Sequence, residues 1–399
     1  MKHFAFVSMP AHGHVNPTLP IVEELVRRGH RVSYGVGAAF APVVEAAGAT
    51  AVPTGSEMPQ LPSNFGGTFD PEAMAPFMQH RLADLRENFP VLLEHFQQDP
   101  PDAVCFDDGE ISGPMLAEKL GVPDVALVPH FAGNERFSFR DLLREHSADA
   151  FDHEEHPVFQ DFKARLAEIK TEFGVTTESG GFGQTIPSSL NLVFLPAEFQ
   201  IAVETFDERF RFIGPSVGGR AESDWRPADS VKPLLFISLG TIFNQRADFF
   251  RTCIEAFRDS GWQVAMSIGN VVEPAELGEI PDDFEVRPSF PQPAVLRHAS
   301  AFLTHSGMNS TMEALYYGVP PIAVPQMQEQ QANARRLEEL GLGRYLDSDE
   351  ITAAQLRDAV QEVAESSEIR AAVHKMSEAV RNSGGAPAGV DALEAHLGG

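Results

Sequence analysis

Between Phe290 and Gln330 the chain reads FPQPAVLRHASAFLTHSGMNSTMEALYYGVPPIAVPQMQEQ, and no other stretch constrains the fold as tightly. The apolar run Ala301 to Thr304 predicts a strand and Asn309 to Tyr317 predicts a helix, so His305 to Met308 must turn one into the other. The first amides of such a helix have no partner within it, and the positive end of the macrodipole lies at the same place. A turn of this kind holds a phosphate without needing a lysine. Gly307 lets a ligand come close to the backbone, while His305, Asn309 and Ser310 add side-chain donors. Glu313, about one turn beyond Asn309, would repel phosphate but can accept hydrogen bonds from both hydroxyls of a ribose. The turn alone equally fits an ordinary helix start capped by Asn309 or Ser310, with Glu313 as a first-turn acid.

The larger pattern separates the two readings. It runs P-Q-x-x-x-L-x-x-A, then T-H-x-G-x-N-S-x-x-E, then G-V-P and P-x-x-x-E-Q. This resembles the nucleotide-sugar signature of the family-one glycosyltransferases, most closely the bacterial macrolide branch. The resemblance implies that His305, Gly307, Met308, Asn309 and Ser310 hold the diphosphate, that Glu313 holds the ribose, and that Glu329 and Gln330 hold the sugar hydroxyls. Where many relatives place a tryptophan two residues before the Pro-Gln pair, to stack on the base, this chain has Ser289 followed by Phe290. Base recognition is therefore expected from backbone contacts at Ser289, from Phe290 or from Gln292, and both UDP and TDP donors stay open.

At 399 residues the chain is long for one core, so two domains are expected. The net charge of −27 argues against nucleic-acid or anionic-membrane partners, and it means that an anionic ligand must be captured by a local device. Cys105 and Cys253 fall in apolar contexts in separate halves and read as small buried hydrophobes. With no apolar run of about 18 residues and no basic leader before the first strand, the protein is expected to be cytoplasmic.

The chain opens with a strand at Phe4 to Ser8, a loop at Met9 to Pro17, a helix to about Arg28 and a strand at Arg31 to Val36, which begins a β-α-β unit. The loop reads PAHGHVNP where a dinucleotide-binding fold carries G-x-G-x-x-G, which excludes an ordinary NAD-type domain. His14 lies in this loop, where open α/β sheets place their ligands, and His12 beside it reads as solvated. Gly-His-Val-Asn-Pro matches the first loop of the macrolide enzymes, so the resemblance makes His14 the general base. The segment Ser56 to Phe69 reads as a mobile loop rich in Pro, Gly and Ser. The buried strand Ala103 to Phe106 ends in Asp107-Asp108-Gly109, with Asp108 the better candidate for a helix N-cap. The resemblance gives Asp107 the task of orienting His14 and stabilising its cation.

Phe131, Phe137, Phe139, Phe151, Phe159 and Phe162 read mostly as core, and the resemblance makes some of them a wall of an acceptor pocket. His153-Glu-Glu-His156 lacks the spacing and the third ligand of a metal site and reads as solvated surface. Gly240 and Thr241 match the family's S-L-G-[ST] turn, which approaches the donor phosphates opposite His305. Asp347-Ser-Asp349 precedes a helical run from Ile351 and reads as an N-cap cluster rather than a metal-binding D-x-D.

These readings converge on an α/β protein of GT-B architecture, two facing Rossmann-like domains with parallel sheets and an interdomain cleft. The expected boundaries are 1–215 for an acceptor-binding domain, 216–232 for a linker, 233–380 for a nucleotide-sugar-binding domain and 381–399 for a helix packing back on the first domain. The expected activity is inverting transfer of a hexose, glucose from UDP-glucose, to a hydroxyl of a hydrophobic small molecule such as a macrolide, flavonoid or other polyphenol. No metal and no cofactor are expected, the UDP-sugar being a co-substrate, and the protein is expected to be a monomer or weak homodimer. The alternatives are a nucleotide-sugar epimerase of the same fold and a non-catalytic sugar-nucleotide-binding partner protein.

Overall fold

A computed structural model describes residues 1–59, 71–145, 156–177, 187–217, 223–240, 244–347 and 351–398. The chain divides into two compact units, one of Met1–Ser216 with Ser383–Gly399 and one of Val217–Asn382.

The first unit is built on seven parallel strands, β1 (His3–Val7), β2 (Arg31–Gly37), β3 (Thr50–Thr54), β4 (Ala103–Asp107), β5 (Asp124–Val128), β6 (Leu190–Val193) and β7 (Phe210–Phe212), in the order β3-β2-β1-β4-β5-β6-β7. Its helices are α1 (His12–Val15), α2 (Leu19–Arg27), α3 (Ala41–Ala46), α4 (Pro71–Gln98), α5 (Ser112–Leu120), α6 (Phe139–Glu145) and α7 (Pro157–Phe173). The interior strands are continuous apolar runs because both of their faces are covered; every residue of β1 and β4 is buried. After β1 the chain crosses to β2 on one side, and after β4 it crosses to β5 on the other, so the topological switch lies between β1 and β4. Ligand sites in open α/β sheets lie at the carboxyl ends of the strands flanking such a switch.

The second unit repeats the plan with β8 (Leu234–Ser238), β9 (Gln263–Ser267), β10 (Phe284–Arg287), β11 (Ala299–Thr304), β12 (Pro321–Ala323) and β13 (Arg344–Tyr345), ordered β10-β9-β8-β11-β12-β13 and all parallel. Its helices are α8 (Ala247–Phe257), α9 (Gln292–Leu296), α10 (Met308–Tyr317), α11 (Gln328–Glu339), α12 (Ala353–Glu365) and α13 (Ser367–Asn382). The switch falls between β8 and β11, whose last residues Ser238 and Thr304 are register partners. The turns that follow those two strands therefore start side by side. Trp225, inside the segment expected to be a linker, is buried in this unit's core, and its indole N–H donates to Glu285 at 3.2 Å.

The last helix, α14 (Gly385–Gly398), belongs to the first unit. Val390 and Leu393 enter the same apolar cluster as Ile21 of α2, and Arg28 donates to Glu394 at 2.7 Å and to Asp391 at 2.6 Å. Both cysteines are buried and unpaired, and burial pushes their thiols well up from the ordinary value. No helix of the described residues is long and apolar enough to cross a membrane.

Several local expectations change. The loop Met9 to Pro17 contains a helical turn, α1, that carries His14. Asp108 is not a cap, since α5 begins four residues later with Ile111 at its N-cap. Asp347 to Asp349 is not the cap of α12; Thr352 is, in a reciprocal capping box with Gln355, which satisfies the orphan amides that the acids were expected to take. His156 is not plain surface, because its Nδ1 accepts from the Val158 amide and caps α7. Thr241, Phe151, His153 and most of the Ser56 to Phe69 segment lie outside the described residues, as does Asp349.

Candidate active site

In the first unit, register places Val7 beside Phe106, so the chain leaving β1 and the end of β4 adjoin. His14 Nδ1 lies 2.7 Å from Asp107 Oδ2. The carboxylate can only accept, so Nδ1 carries the proton and Nε2 is the nitrogen with the lone pair. The other oxygen of Asp107 accepts from the Gly109 amide at 3.1 Å, and the carboxylate is 1 % exposed whereas the imidazole is 26 % exposed. The buried member is anchored and the other can be reached by substrate. Desolvation is the largest single influence on His14 and lowers its pKa. The charge of Asp107 and its hydrogen bond together outweigh that, and the net shift is upward from 6.5.

The short helix α1 does not hold itself in place; a buried hydroxyl chain below it does. Thr18 Oγ1 donates to the Val15 carbonyl at 2.8 Å, so it must accept from Tyr34, which in turn accepts from Ser8 at the end of β1. Tyr34 is fully buried, and burial pushes its phenol well up, so it stays a donor. His12, by contrast, is exposed and meets Phe40 edge-on at 5.0 Å.

Beside the dyad, the next carboxylate, Asp108, turns to His130 beyond the end of β5, with Oδ2 3.1 Å from Nε2. Phe139 stacks on that imidazole at 5.8 Å and 17°. Gln200, 1 % exposed, clamps the same loop by bonding both the amide and the carbonyl of Ala132 at 3.0 and 3.1 Å. Of the phenylalanines expected near an acceptor, Phe131, Phe159 and Phe162 are core, while Phe137 and Phe139 are partly exposed.

In the second unit, α10 starts at Met308 with Gly307 as its N-cap and no side-chain cap, so Asn309 and Ser310 are not spent as caps and the capped-helix reading fails. Met308 is buried, which leaves its backbone as what it can offer a ligand. Gly307 also makes room for a neighbouring side chain. A Cβ there would lie 2.5 Å from His305 Nε2, and a Cβ at Gly240, where φ is +79°, would lie 2.6 Å from the same atom. The imidazole is thus fitted between two glycines from the turns that follow β8 and β11. Ringed this closely, His305 is lowered by desolvation to about 4, with the Ser238 backbone partly offsetting, so at neutral pH it is uncharged.

Two buried asparagines that sequence reading overlooked hold these turns. Asn333 on α11, 0 % exposed, donates from Nδ2 to the Ser306 carbonyl at 2.9 Å, and Asn244 donates to the Gly240 carbonyl at 3.0 Å. Ser306 needs such an anchor, because it sits at φ +63° without being glycine. Gln292 turns its amide N–H groups to Ser310 at 3.1 Å and to Glu313 at 2.8 Å, joining the phosphate and ribose candidates in one network. Ser289 is exposed, and Phe290 packs edge-on against Trp225 and Phe236 with the Arg287 guanidinium 5.1 Å over its ring. Gln330 is buried with its Oε1 accepting from the Gln326 amide at 2.7 Å, while Glu329 beside it is partly exposed.

Three comparisons with known proteins agree on the family. Residues 264–392 match the family described as "Erythromycin biosynthesis protein CIII-like, C-terminal domain". The chain is 40% identical to the NDP-glycosyltransferase YjiC of Bacillus subtilis over 99% of this chain and 97% of that protein. It is 35% identical to the oleandomycin glycosyltransferase of Streptomyces antibioticus over 99% and 91%. Among solved structures, the calicheamicin glycosyltransferase CalG4 superposes with a TM-score of 0.85 at 35% identity, covering 100% of this chain and 98% of that one. The chain belongs to the family-one bacterial glycosyltransferases of GT-B fold, in the macrolide and natural-product branch, and is a glycosyltransferase.

Proposed function

We propose that this enzyme transfers glucose from UDP-glucose to a hydroxyl of a hydrophobic small molecule, a macrolide or polyphenol, with inversion at the anomeric carbon. The observation that carries this reading is the 2.7 Å contact between His14 Nδ1 and a buried Asp107, which directs the free lone pair of Nε2 outward. In this reading the first unit supplies the base and the second holds the donor. Nε2 takes the acceptor proton as the oxygen attacks from the face opposite the diphosphate, and Asp107 stabilises the imidazolium that forms. The α10 N-terminus, His305 and Ser310 stabilise the departing UDP by hydrogen bonds and the helix dipole, and no covalent sugar intermediate forms. Glu329 remains the candidate for the sugar hydroxyls together with Gln330, whose Oε1 is already engaged.

An epimerase of the same fold, or an idle nucleotide-sugar-binding protein, has no use for the His14–Asp107 pair. The three readings separate in one assay: UDP release from UDP-glucose and TDP release from TDP-glucose, with and without phenolic and aliphatic aglycones, in excess EDTA. Release that requires an aglycone and persists in EDTA is expected, because the phosphate ligands are amides, hydroxyls and a neutral imidazole. Activity abolished by EDTA and restored by magnesium or manganese would mean that a metal carries the phosphate charge.

Glu313→Ala tests the donor assignment. Each charge-assisted bond to a ribose hydroxyl contributes roughly 1.5–3 kcal/mol, so the donor KM should rise about tenfold or more while the acceptor KM holds. An unchanged donor KM would leave Glu313, which lies beyond the first turn of α10, with its bond from Gln292 as its only assigned role.

A further inference from the structure

We propose that His130 and Asp108 form a second imidazole–carboxylate pair beside the dyad, whose retained proton makes His130 a fixed cation that limits how strongly Asp107 holds the proton on His14. This rests on the reading of His14 as the base. Asp107 and Asp108 are consecutive at the end of β4, so their side chains diverge, one toward the turn after β1 and the other toward the loop after β5. His130 Nδ1 lies 2.9 Å from the Phe131 carbonyl, which can only accept, so that nitrogen bears hydrogen. Nε2 lies 3.1 Å from Asp108 Oδ2. Without a proton this contact would set a lone pair against a carboxylate. Asp108 Oδ1 is also buried with no hydrogen-bond partner among the described residues, in a side chain only 12 % exposed, and a carboxylate oxygen so poorly solvated is stabilised by a positive charge beside it. A charged imidazole on His130 answers both observations.

Asp107 lies on one side and His14 beyond it, while from α4 Arg81 donates to the Gly109 carbonyl at 3.0 Å and pairs with Glu110 at 3.4 Å. Arg81 is engaged by Glu110, and among the described residues His130 is the cation whose charge acts on His14. It opposes Asp107 there: the charge of His130 lowers the affinity of His14 for its proton, and Asp107 and Asp108 raise it. A base held too firmly in its protonated form is idle at neutral pH, so the neighbouring cation widens the working range. His130 is a positioning residue in this scheme and transfers no proton.

The tests are a titration and a rate profile. In protein with ¹⁵N-labelled histidine and no substrate, both ring nitrogens of His130 should be protonated at pH 7, a readout independent of glycosyl transfer; a neutral ring overturns the proposal. In His130→Gln the acidic limb of kcat/KM for an aliphatic alcohol should move up by about half to one pH unit, with the alkaline plateau retained. His130→Lys, which keeps the charge, should leave the limb near its wild-type place. A limb present in wild type, lost in His14→Ala and unmoved in His130→Gln overturns this inference and spares the dyad. A limb that survives in His14→Ala sinks the base assignment instead.

Discussion

His14→Ala is expected to lower kcat by about a hundred- to ten-thousandfold on an aliphatic alcohol, the span that general-base catalysis ordinarily contributes. An alcohol proton does not leave unaided, and among the described residues no other imidazole is held by Asp107 in its place. A phenol, with a pKa of about 10, needs less help, so raising the pH should partly rescue the variant on phenols and not on alcohols. Affinity for UDP should be unchanged, since the turns proposed to hold the phosphates belong to the other unit. Near-normal turnover on an alcohol, in folded protein that binds UDP, would remove His14 from the mechanism and leave the exposed His12 as the next residue to test.

Gly240→Ala carries the second large effect. The new Cβ would sit at φ +79° and 2.6 Å from His305 Nε2, so the backbone is strained and the imidazole must move out of the gap between the two glycines. A non-glycine residue in the left-handed region costs roughly 1–2 kcal/mol before any displacement. The donor KM should rise about ten- to a hundredfold, with about 1.4 kcal/mol for each tenfold. Gly341→Ala is the control. Its φ of +65° imposes similar strain, but nothing lies within 4 Å of the added carbon, so stability should fall while the donor KM stays put. Equal donor KM values in the two variants would show that the fit around His305 does not serve donor binding.

The parts of this protein that could be read from the chain are those in which neighbours in sequence are neighbours in space. The strand-to-helix turn at His305 and the apolar runs of β4 and β8 are local, and their periodicity announces them. The α1 turn was hidden because four residues are too few to show a period. The assignment of Asp108 as a cap followed a good local rule, yet its partner His130 comes from another strand end, which only the sheet order brings near. Asn333 and Asn244 were missed as well. Each bonds a carbonyl, and only Asn333 reaches one far along the chain, but a buried amide side chain in a polar-looking segment carries no periodic signal. Gly307 reads from the sequence as room for a ligand, and the structure adds a second demand that no local pattern shows, since a Cβ there would lie 2.5 Å from His305 Nε2.

The central claim is that His14, tuned by Asp107, removes the acceptor proton, and the pH dependence of kcat/KM with UDP-glucose and an aliphatic alcohol tests it most directly. His14 must be neutral to act, and Asp107 raises its pKa above 6.5, so activity should fall as pH drops through a value above 6.5. In Asp107→Asn both the charge and the charge-assisted hydrogen bond are lost, so the limb should move to lower pH and the plateau rate should drop. A wild-type profile with no acidic limb between pH 5 and 8, or a limb that Asp107→Asn leaves in place, would contradict the account.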